Sequence, residues 1–122
     1  MGSYKSFEEL DCWQKCREVR KWVDEFLKTK IDKRDFDMHQ NLRRFARSTT
    51  RNIAEGFGEF HFKENIQFCR ISRGSLFEIK DDLIICVDKK SVSDEEILEG
   101  MKLVNQAIHS LNGYLKYLKS NN

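Results

Sequence analysis

Arg43, Arg47 and Arg51 recur every four residues, with Arg44 beside them, inside the run Leu42 to Ile53. A guanidinium grips phosphate or carboxylate oxygens as a two-pronged fork, and helix residues four apart lie one above the other. A row of this kind can follow a charged backbone. No acidic residue falls between Met38 and Ala54 to neutralise it. The row therefore carries like-charge repulsion that a bound polyanion would relieve. Arg70 and Arg73 make a second pair in a stretch free of acids from Asn65 to Phe77. Three readings stay open for these arginines: phosphate contacts to RNA or DNA, structural salt bridges or a solvated face, and an acidic surface on a protein partner.

Other residue types offer less chemistry. Cys12 and Cys16 are spaced i, i+4 rather than as CxxC, and Cys69 and Cys86 fall at core-type positions. The spacing predicts small buried thiols rather than a zinc site or a disulfide. His39 and His61 would sit at opposite ends of one helix, roughly 30 Å apart at 1.5 Å per residue. With His109 they make no metal or acid–base cluster, and the paired Glu-x-x-His ligands of bundle metal sites are missing. Trp13 and Trp22 read as packed aromatics. Asn52 and Glu55 read as capping or packing residues. Gly56-Phe57-Gly58 ends a helix rather than cradling a phosphate, since no strand precedes it and no Lys-Ser follows. Gly74 costs about 1 kcal/mol relative to alanine inside a helix, and a closely approaching neighbour is its expected reason. No catalytic residue, metal or cofactor is expected.

The elements that must position the arginines are helical. Among 122 residues there is no proline and little glycine, which favours an all-α chain forming a single domain over 1–122. The net charge of +2 announces no nucleic-acid binder by itself, so the signal lies in patterning. No apolar run approaches the ~20 residues that span a bilayer, and no signal peptide opens the chain, so a cytoplasmic protein is expected. Gly2 with Ser6 matches a myristoylation pattern only weakly.

Four helices are predicted. The first carries Leu10, Trp13, Cys16, Val19, Val23, Phe26 and Leu27 on one side, with a capping box at Ser6 and Glu9 or at Asp11 and Gln14. The second runs from about Asp37 to Phe57, ended by Gly56 and Gly58. The third runs from about Phe62 to Asp88. Its main stripe is Phe62, Ile66, Cys69, Leu76, Ile79, Leu83 and Cys86. Phe68, Ile71, Phe77, Ile84, Ile85 and Val87 lie off that stripe, so the helix is either central or also buried between subunits. The fourth starts at Ser93, with Glu96 closing a capping box. Its face of Ile97, Met101, Val104, Ile108, Leu111, Leu115 and Leu118 alternates steps of four and three, the spacing of nearly antiparallel packing. Short links make the economical fold an up-down-up-down antiparallel four-helix bundle.

The sequence resembles the bacterial four-helix-bundle proteins encoded by intervening sequences in large-subunit ribosomal RNA genes, a family sometimes placed among ribosomal-protein-like sequences. The resemblance lies in Leu10 to Lys15, Leu42-Arg43-Arg44, Asn52 to Gly58, Phe68 to Leu76 and Leu111-Asn112-Gly113. Where that pattern reads serine-isoleucine-proline-serine before the asparagine, this chain has Ser48-Thr49-Thr50-Arg51, losing a proline and gaining an arginine. The resemblance implies a bundle that assembles into a ring, commonly a homopentamer, with no catalytic residues. The chain is also similar to the accessory protein of diversity-generating retroelements, a basic pentameric barrel that binds a reverse transcriptase and nucleic acid. The expected function is that of a non-enzymatic oligomer, a pentamer by resemblance, that binds RNA or DNA through Arg43, Arg44, Arg47, Arg51, Arg70 and Arg73. The alternative is an assembly adaptor for a protein such as a reverse transcriptase or ribosomal component.

Overall fold

The computed structural model describes residues 4–59 and 61–121; Gly2, of the weak myristoylation pattern, lies outside them. A short 3-10 turn, Phe7–Glu9, precedes four α-helices: α1 Asp11–Lys30, α2 Phe36–Phe57, α3 Phe62–Asp88 and α4 Asp94–Ser120. Each helix packs against its neighbours in the cycle α1–α2–α3–α4–α1, and among the described residues no diagonal pair brings Cα atoms within 8 Å. Cross-helix contacts give the directions. Asp11 meets Ser110, Trp22 meets Gly100 and Lys30 meets Glu96, so α1 and α4 run oppositely. Arg20 reaches Thr50 while Ile31 is held by His39, which sets α1 against α2. Gly56 lies on Asn65, and Ser48 on Ser75, which sets α2 against α3. The chain is an up-down-up-down four-helix bundle.

The apolar stripes meet along the axis. Leu27, Leu42, Ile53, Leu76, Ile79, Leu83, Leu111 and Leu118 are fully buried there. The α4 face is wider than its 4–3 alternation shows, because Gly100, Ala107 and Tyr114 are buried on it too. Ser93 caps α4 as expected, its hydroxyl accepting from the Glu96 N–H while the Glu96 carboxylate accepts from the Ser93 N–H.

Neither capping box expected for the first helix forms. α1 begins after Leu10, which offers no side-chain cap, and Ser6 caps only the 3-10 turn without a side-chain bond. The turn diverts both partners: the Glu9 carboxylate accepts from the Lys5 N–H, and the Gln14 amide donates to the Glu8 carbonyl.

Three glycines behave differently from expectation. Gly58 does end α2, but in right-handed conformation (φ −75°, ψ −8°), its N–H donating back to the Ala54 and Glu55 carbonyls. Gly56 is inside the helix and is a contact residue: a Cβ there would stand 2.6 Å from Asn65 Oδ1. Gly74 faces open space, with nothing within 4 Å of a Cβ, so no neighbouring helix explains it. The close approach occurs instead at Gly100, where a Cβ would overlap the Trp22 ring.

Candidate functional site

The core face of α2 is Met38, Leu42, Ala46, Thr49, Thr50, Ile53 and Gly56. Helical periodicity turns positions 43, 47 and 51 away from that face, and the side chains of Arg43, Arg44, Arg47 and Arg51 are exposed. Together with Gln40, a residue that charge patterning does not single out, they line one open concavity of about 290 Å³. At 1.5 Å per residue, Arg43 to Arg51 extends about 12 Å along the helix.

The row is held at its edges. Arg20 of α1 donates to the Thr50 hydroxyl at 2.8 Å, tying α1 beside it. Arg44 donates weakly to Asn41 Oδ1 at 3.4 Å and lies over the Phe45 ring, 5.0 Å from its centre. Asn52 donates to the carbonyl and hydroxyl of Ser48, each at 2.9 Å, and Ser48 in turn receives Ser75 of α3. Asn52 is therefore a packing residue, as expected, and Glu55 is exposed. Ser72 donates to the Thr49 carbonyl at 2.8 Å, fixing the other side of the α2–α3 seam.

The ion pairs among the described residues join Lys15 to Asp11, Lys30 to Glu96, Arg34 to Asp32 and Lys89 to Asp35. None of these uses an arginine of the row. The intramolecular salt bridges that formed one reading of these residues are thus not made among the described residues of the subunit.

Arg70 and Arg73 do not join the row. Arg73 donates to Asn112 of α4 at 2.8 Å, whereas Ser72 and Ser75 are the α3 residues turned to α2. Arg70, one turn before Arg73, shares its flank. The six arginines fall into two groups on different sides of α3.

Near Arg44, in the α2–α3 seam, Asp82 is 8% exposed and its Oδ2 has no hydrogen-bond partner among the described residues. Burial raises its carboxyl above the ordinary 3.8, the charges of Asp81 and Glu78 reinforce the rise, and Arg44 opposes it.

The remaining candidates are structural. All four cysteines are free and buried. Desolvation pushes the Cys16 and Cys69 thiols up to about 12 and Cys86 to about 11. A buried thiol of raised pKa is a poor nucleophile at neutral pH, and no group of three or more His, Cys, Asp or Glu suited to a metal occurs among the described residues. Trp13 packs edge-on against Phe7, and Trp22 stacks on Phe26 at 4.7 Å. His39 Nε2 donates to the Ile31 carbonyl at 3.1 Å, far along α2 from His61. No helix among the described residues is long and apolar enough to cross a membrane.

A family model, the 23S rRNA-intervening sequence protein, matches residues 8–113. No curated protein matches the chain.

Proposed function

This chain belongs to the 23S rRNA-intervening sequence protein family, and from that premise we propose that it works without catalysis, as a homo-oligomeric helical bundle, pentameric by resemblance, that binds RNA or DNA phosphates through the arginine row of α2. The observation that carries this reading is the concavity lined by Arg43, Arg44, Arg47 and Arg51, whose guanidinium groups make no ion pair among the described residues. Assembly repeats the row in every copy, which lets a chain of net charge +2 hold a polyanion. Arg70 and Arg73 would serve as a separate, weaker contact, with Arg73 already engaged by Asn112.

A salt-titrated binding series tests the reading. Removing one phosphate-binding arginine should flatten the slope of log K against log salt by about 0.9 on duplex DNA or about 0.7 on a single strand. Arg47→Ala should do so for every sequence alike, because phosphate contacts carry no sequence information. The exposed position leaves the core intact. If the wild type shows no salt-sensitive binding while Arg47→Ala breaks the assembly, the arginines are structural and the reading fails.

A second reading, an adaptor for a protein such as a reverse transcriptase or ribosomal component, is favoured by the apolar side chains that α3 leaves in water, Ile71, Phe77 and Ile84.

A further inference from the structure

Phe36 is the first residue of α2 and the most exposed large apolar side chain among the described residues, 76% in water. The fold gains little burial from it. A hydrophobic staple would join the residue before the N-cap to the fourth helical residue. Those positions hold Arg34 and His39, so Phe36 has no part in one.

Among the charged side chains that share its cavity, cations outnumber acids. Phe36 lines an open cavity of about 390 Å³ with Lys28, Lys33, His39, Arg43 and Asp24. Arg43 lines this cavity and the arginine concavity alike, so the two adjoin. Phe36 stands about 10 Å along the helix from Arg43. The corner that carries the ring is braced: Asp35 accepts the Met38 N–H and the Lys89 ammonium, His39 grips the Ile31 carbonyl, and Arg34 pairs with Asp32. An exposed aromatic face with cations beside it, on a braced helix start, is a combination that can hold an unpaired nucleotide, the ring stacking the base and the cations the flanking phosphates.

We propose that Phe36, with Lys28, Lys33 and Arg43, forms a stacking site for an unpaired base at the end of the arginine row. The preferred ligand is then a nucleic acid whose duplex backbone lies along α2 and whose next nucleotide is single-stranded. This rests on the nucleic-acid reading of the row.

The test uses the full chain and three labelled RNA probes sharing one hairpin stem: blunt, with a three-nucleotide overhang, and with the same overhang made abasic. Wild type should bind the overhang probe about fivefold or more tighter than the blunt one, and the abasic overhang should lose that preference. Phe36→Ala should abolish the preference while leaving blunt-probe affinity and its salt slope unchanged; Phe36→Trp should keep it. Circular dichroism and light scattering on each variant should be unaltered. The proposal is overturned if Phe36→Ala keeps the preference, if it weakens all three probes equally, or if it changes the mass of the assembly, which would make Phe36 a contact between copies. Absence of salt-sensitive binding to every probe would overturn the row and this site together, whereas a salt slope without an overhang preference overturns this site alone.

Discussion

At the residue scale, the same amino acid means opposite things according to what stands over it. Gly74→Ala should stabilise the protein by about 0.5–1 kcal/mol, because the position is open and alanine costs less backbone entropy in a helix. Gly100→Ala should destabilise it by about 1–3 kcal/mol, since the new methyl would overlap the Trp22 ring stacked on Phe26. Urea unfolding of the pair measures both. The sequence pattern shows where a glycine interrupts a helix but not which helix passes across it, so Gly74 reads as a contact and Gly100 does not. Asp82 is the other residue whose neighbours decide its role. The folded state binds its proton more tightly than the unfolded chain does, so stability falls as pH rises from the ordinary 3.8 through the raised value, and the penalty is complete above it. Asp82→Asn should add about 1 kcal/mol at pH 7 and converge with wild type below pH 3.8. A drop in stability at pH 7 instead would show that the carboxylate is paired in the assembled protein.

At the element scale, capping separates what was legible from what was not. Ser93→Ala should cost about 1 kcal/mol, because the box it forms with Glu96 is complete. Ser6→Ala should change the unfolding midpoint little, because its hydroxyl caps nothing. Both sites carry the same sequence signature. They differ because a 3-10 turn intervenes before α1 and commits Glu9 and Gln14 to other backbone groups, a tertiary choice that local pattern does not encode. The bounds of α3 and the start of α4 were readable because each apolar stripe recurs at helical spacing. The arginine row was readable for the same reason: four-residue spacing is a statement about one helix. Its separation from Arg70 and Arg73 was not, since that depends on which flank of α3 meets α4. Phe36 lies in a segment whose composition says only that it is charged and turn-like. Its signal is an aromatic at a helix start with no apolar residue three or four places on, where His39 and Gln40 stand.

At the scale of the whole molecule, the bundle leaves apolar surface that its own core does not use. Phe77 and Ile84 are two turns apart on α3, so they lie on one flank, and they are 51% and 45% exposed. Phe68 belongs elsewhere: it is half-buried and lies 3.0 Å from where a Cβ on Gly56 would stand, in the α2–α3 seam. The two kinds of off-stripe residue therefore give different outcomes when a charge is introduced. If the proposed assembly packs through this flank, Ile84→Lys should lower the mass seen by light scattering at micromolar concentration towards the 14.5 kDa subunit, with helicity kept; an unchanged mass leaves the flank to the protein-adaptor reading. Phe68→Lys should lower helicity and melting temperature first, because it disturbs the seam of a single subunit. Weaker assembly in Ile84→Lys should also weaken nucleic-acid binding, since each copy contributes its own row and linked sites gain from effective concentration. A wild type that stays at subunit mass across the concentration range would remove this coupling, and the row would then have to bind as a lone patch.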